Sequence, residues 1–85
     1  MARIQLIGKP GCHLCDEQRV VVTAVASETG ADWEELSILD DPVLADEYWL
    51  EIPVVVVDGK RLGYWRVSAD SIRAALAQGP TVTPL

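Results

Sequence analysis

At 85 residues the chain has room for one small domain with one core. Its hydrophobic content of 49% is enough to fill that core without a disulfide-stapled scaffold, and a formal net charge of −6 argues against non-specific binding to nucleic acid or anionic membrane. The N-terminus Met1-Ala2-Arg3-Ile4 lacks the apolar stretch of a secretory signal, and no apolar run approaches the roughly 20 residues that cross a bilayer, so a cytoplasmic protein is expected.

Residues 3–8 form the first predicted strand, apolar at nearly every position of Ile4-Gln5-Leu6-Ile7, as a strand covered on both faces should be. The turn Gly8-Lys9-Pro10-Gly11 leads into a helix from His13 to about Thr29. There Leu14, Val21, Val22, Val25 and Ala26 recur at helical spacing, Gln18 is the polar exception, and Gly30 supplies a left-handed stop. Residues 32–38 read as a second strand of mixed alternation. Asp40 or Asp41 can cap a short helix with Pro42 in its first turn, ending near Tyr48. Val54–Val57 and residues 61–65 then pair as a hairpin through Asp58-Gly59. Ser68 caps a last helix whose Ile72, Ala75 and Leu76 face inward, and Gly79-Pro80 ends it. The domain is expected to span 1–79, followed by a flexible tail over 80–85, and Trp33, Tyr48 and Trp49 are assigned to core or edge packing. The order βαβαββα predicts an α/β domain with a four-stranded mixed sheet flanked by helices.

The chemistry concentrates in Cys12-His13-Leu14-Cys15, which holds both cysteines of the chain. A disulfide across so short a loop would remove little unfolded-state entropy, so the pair is a poor staple and a plausible redox couple. The first turn of a helix presents unpaired N–H groups and partial positive charge, which favour a thiolate. Cys12, at the cap or first position and behind the open Gly11, is assigned as nucleophile, and Cys15, one turn inward, as resolving thiol. Lys9 and a protonated His13 would favour the thiolate, with a solvent-facing His13 without a partner as the equal alternative. Asp16 would oppose it if its carboxylate faced the sulfurs, but its preferred reading is a favourable charge on the helix dipole.

Taken together, Lys9-Pro10-Gly11-Cys12-x-x-Cys15, Ile52-Pro53-Val54 and Asp58-Gly59-Lys60 resemble the glutaredoxin branch of the thioredoxin fold, over residues 3 to about 77. Cys12-x-Leu14-Cys15-Asp16 and Glu51-Ile52-Pro53-Val54 are similar to a group of small bacterial glutaredoxin-like proteins. The resemblance implies a cis Pro53 against the cysteines, Ile52 offering its backbone to a substrate strand, and Lys9 at the glycine-end carboxylate of glutathione. With Gly11, His13, Leu14 and Trp65 these residues make up the expected substrate groove. Two departures stand out. His13 and Leu14 replace the usual Pro-Tyr, and the Gly-Gly-x-Ser/Thr-Asp segment for the γ-glutamyl end of glutathione is missing. Gly63 can be aligned with its first glycine, but Tyr64-Trp65-Arg66-Val67 follows, and bulky aromatics replace a close backbone approach. That stretch resembles an aromatic–Gly–aromatic–Arg segment of redoxins recharged by thioredoxin reductase.

The main expectation is a thiol–disulfide oxidoreductase acting on protein or small-molecule disulfides, without a resident cofactor. Its expected partners are a disulfide-containing protein or a low-molecular-weight thiol, with glutathione or thioredoxin reductase as candidate electron donor. Two alternatives are a metal or iron–sulfur module, short of ligands with Cys12, Cys15 and His13 alone, and a redox-silent partner-binding domain.

Overall fold

The computed structural model describes residues 3–78. Strand β1 (Arg3–Gly8) is followed by helix α1 (His13–Thr29), strand β2 (Asp32–Ser37) and helix α2 (Pro42–Tyr48). Strands β3 (Val54–Val57) and β4 (Lys60–Tyr64) and helix α3 (Ala69–Gln78) complete the order. The expected stop at Gly79-Pro80 and the tail over 80–85 lie outside the described residues.

The sheet runs β2-β1-β3-β4, with β1 parallel to β2 and antiparallel to β3, and β3 antiparallel to β4. The central pair explains the unbroken apolar runs. Alternate residues of β1 and β3 point to opposite faces, and both faces are covered. On one face Ile4, Leu6, Val55 and Val57 pack with Val22, Val25 and Ala26 of α1 and Ile72 of α3. On the other, Ile7, Val54 and Val56 pack with Ile38 and with Leu44, Ala45 and Tyr48 of α2. Helices α1 and α3 therefore share one layer and α2 forms the other.

The boundaries follow local chemistry. Gly30 takes φ +77 and its N–H donates to the Ala26 carbonyl at 2.8 Å, which closes α1. Of the two candidate caps for α2, Asp41 does the work, its Oδ1 accepting from the Val43 N–H at 2.9 Å. Ser68 caps α3 through the Ser71 N–H, and Ala75 and Leu76 pack on the core from that helix. Asp58 and Gly59 both have positive φ, as a two-residue hairpin turn requires.

Two expectations are corrected. Strand β4 ends at Tyr64 and excludes Trp65, because Trp65 turns to φ +66 and sends its N–H to the Pro53 carbonyl at 2.8 Å. Trp49 is not packed in the core: it is 62% exposed where α2 ends.

Candidate active site at the start of α1

The β1–α1 turn carries the two sulfurs. Gly11 adopts φ +76 and turns the chain so that Cys12 becomes the N-cap of α1 in extended conformation. The Cys12 Sγ accepts from the Cys15 N–H at 3.2 Å, filling with sulfur the place usually taken by a cap oxygen. Its carbonyl accepts from the Asp16 N–H at 3.1 Å, the first turn of the helix. Both cysteines are free thiols; Cys12 is half-buried and Cys15 fully buried. A negative charge on the Cys12 sulfur would face a backbone N–H and the positive end of a 17-residue helix.

Cys15 reaches its position only because residue 8 is glycine. A Cβ at Gly8 would lie 2.6 Å from the Cys15 Sγ, so the sulfur packs against the bare backbone of β1. Burial, then its hydrogen bond with Cys12, pushes the Cys15 thiol up to about 11, while a backbone hydrogen bond from Lys9 acts in the opposite sense. Gly8 was legible as a turn glycine, but its contact with Cys15 depends on how α1 folds back over β1.

The expected groove residues divide into separate groups. Leu14, Ile52 and Trp65 line one groove of about 380 Å³, together with Tyr64 and Arg66. The Ile52–Pro53 peptide is cis and Pro53 is buried. Lys9 is exposed and lines a different cavity, beside Pro10, Arg19, Glu35 and Ser37. Gly11 is exposed in the turn. His13 is solvent-facing, but with a partner: its Nε2 lies 3.4 Å from Glu17 Oε2. Asp16 is engaged by Arg19 at 2.9 Å, and the same guanidinium holds Glu35 through two contacts of 2.7 and 2.6 Å. Among the described residues no three His, Cys, Asp or Glu side chains gather so as to hold a metal ion.

Tyr64 and Arg66 escaped the sequence reading as groove residues, and the role of Gln18 in holding the neighbouring segment escaped it as well. The buried Gln18 bonds both backbone groups of Val67, with Nε2 donating to the carbonyl at 2.9 Å and Oε1 accepting from the N–H at 2.8 Å. Tyr64 meets Trp65 edge to face with ring centroids 5.1 Å apart. Arg66 pairs with Glu17 at 3.2 Å. A polar residue at a core-facing helix position was the available signal for Gln18.

The fold and the cysteine pair at the head of α1 define a thioredoxin-fold domain. Residues 3–77 match the family model described as glutaredoxin-like domain (DUF836), and the chain belongs to that family. The crystal structure of a structural-genomics target protein from X. campestris is similar, with 31% identity, 91% of this chain and 99% of that chain covered, and a TM-score of 0.72. An uncharacterised protein of Mycobacterium tuberculosis is 26% identical over 87 residues, covering 96% of this chain and 90% of that protein. A mutant thioredoxin from Halobacterium salinarum shares the fold at 19% identity and a TM-score of 0.68, with 98% of this chain and 78% of that chain covered. No helix among the described residues is long and apolar enough to cross a membrane.

Proposed function

We propose that the protein is a thiol–disulfide oxidoreductase that works through Cys12 and Cys15. The observation that carries this reading is the asymmetry of the pair: a half-exposed sulfur capping α1 and a fully buried one a turn behind it. In the first step the Cys12 thiolate attacks one sulfur of a substrate disulfide. A mixed disulfide forms on Cys12, and the other substrate sulfur leaves as a thiolate. In the second, Cys15 loses its proton and attacks the Cys12 Sγ, so the Cys12–Cys15 disulfide forms and the second substrate thiolate departs. Two electrons pass from the dithiol to the substrate, and the two product thiolates take up protons. A thiol or dithiol reductant must then restore the pair; glutathione and a thioredoxin reductase are the candidate donors.

The cavity lining favours a polypeptide as substrate. Leu14, Ile52, Tyr64 and Trp65 present apolar surface suited to the residues beside a substrate cysteine. Lys9, assigned by resemblance to the glutathione carboxylate, stands on another cavity.

Cys12→Ser is expected to abolish disulfide reduction. Cys15→Ser is expected to accumulate a mixed disulfide visible by mass spectrometry. Full activity in Cys12→Ser would overturn the reading. Turnover with glutathione and glutathione reductase, compared with thioredoxin reductase, identifies the donor, and we expect the glutathione system to be the weaker one.

A further inference from the structure

The proposed exchange reaction uses the cysteines and the groove but leaves the buried Gln18 amide without a task. Gln18 sits on α1 one turn beyond Leu14, is 4% exposed, and spends both halves of its amide on one residue 49 positions away. That residue, Val67, ends the segment that walls the groove. The segment is held in an unfavourable backbone state, since Trp65 is a bulky residue at φ +66, a region that side chains disfavour. The Pro53 carbonyl accepts from the Trp65 N–H, and the Leu50 carbonyl from its Nε1 at 3.3 Å. These bonds fix one end, and the Gln18 amide fixes the other.

Two depressions meet at this segment. One of about 380 Å³ reaches Ile52 and Tyr64, and one of about 220 Å³ reaches Gln18 and Val21; Leu14, Trp65 and Arg66 line both. They adjoin through these shared residues, and Gln18 lines the second where Val67 is tied down. A leucine at this position would match the helical periodicity of its neighbours. The amide instead ties Val67, two residues beyond Trp65, to α1 through two hydrogen bonds.

We propose that Gln18 is the positioning residue that sets substrate specificity at this site: its two-bond clamp on Val67 holds the Trp65 wall in the arrangement that receives a polypeptide disulfide. The inference rests on the exchange reading above. It assigns Gln18 no contact with the reacting sulfurs, so its loss acts on substrates that fill these depressions and spares those that do not.

The test uses Gln18→Glu and Gln18→Leu, each also made in a Trp33→Phe/Trp49→Phe background so that Trp65 alone reports by fluorescence. Burial raises the titration of a carboxyl at this position above the ordinary carboxylate range. Ionised, at about pH 9, the introduced side chain can accept from the Val67 N–H but cannot donate to its carbonyl; protonated, at about pH 5, it offers a donor and an acceptor like the native amide. Glu17 and Arg66, which line the same depression, and His13, which pairs with Glu17, are present in the parent protein, whose own pH profile is the control. At about pH 9, Gln18→Glu is expected to raise KM for a peptide disulfide about tenfold, with kcat and turnover of 2-hydroxyethyl disulfide unchanged within about twofold. Trp65 emission shifts in the same variant, and the shift reverses on acidification, whereas Gln18→Leu shows no reversal. Unchanged Trp65 emission in Gln18→Glu, a shift that persists at about pH 5, or an equal loss on both substrates overturns the proposal. If the parent protein reduces neither disulfide, the exchange reading falls, and the pH reversal of Trp65 emission still decides whether Gln18 positions the wall.

Discussion

The two sulfurs are chemically alike in sequence and made unlike by where each stands. Cys12 caps a helix and meets solvent, while Cys15 packs against the bare backbone of Gly8 with no exposure. Burial, reinforced by Cys12, lifts the Cys15 thiol from 9.0 to about 11. Between those values the unfolded chain gives up a proton that the folded protein keeps, so the folded state binds more protons and stability falls as pH rises. The contribution is complete below about pH 9 and lost as pH passes through about 11. The urea midpoint is expected to drop more steeply over this window in the native protein than in Cys15→Ser; parallel slopes would remove Cys15 as the cause. The CxxC spacing and its position after a strand were legible because both are local. The contact between Gly8 and Cys15, and the Gln18 clamp on Val67, join residues that only the crossover of α1 brings together.

At the scale of elements, the helices differ in how firmly they are held. Helix α1 contributes Cys15, Gln18, Val22, Val25 and Ala26 to the interior, whereas the seven-residue α2 has no fully buried residue. Helix α2 depends on its Asp41 cap, on Pro42 in its first turn, and on partial packing of Leu44, Ala45 and Tyr48. Its amides are expected to exchange with deuterium at least about tenfold faster than those of β1 and β3, through local opening rather than global unfolding. Equal protection across α2 and the central strands would refute this. The existence of α2 was readable from Asp-Pro, but its fate was not. Trp49, a large apolar residue by composition, stands exposed at the C-cap of α2, while Leu44, Ala45 and Tyr48 take the positions that pack on the core. Trp65 likewise leaves β4 because its backbone turns to reach Pro53, a partner supplied from across the hairpin.

For the molecule as a whole, stability rests on two thin layers on either side of one sheet. The fully buried Ile72 ties α3 to Ile4, Leu6 and the β3 valines. Ile72→Ala is expected to cost about 2–5 kcal/mol, a large share of the roughly 5–15 kcal/mol available to a domain. That corresponds to a loss of about 4–8 °C in Tm for each kcal/mol in a chain of this size. A change below about 1 kcal/mol in a denaturant titration would show that α3 adds little to the core. Ion pairs such as Arg73 with Glu28 and Arg61 with Glu51 lie at the exposed surface and are expected to matter far less.

The sequence by itself determined the element order, the hairpin, the helix starts, the close of α1 at Gly30 and the cysteine pair, because each is set by periodicity, turn chemistry or spacing within a few residues. The tertiary structure alone decided that Cys15 packs against Gly8, which residues share the groove, and that Lys9 faces another cavity. It also turned Gln18 from an irregularity in a helical pattern into a clamp on Val67. These depend on contacts between residues distant in the chain, whose geometry is set only when the two helical layers close on the sheet.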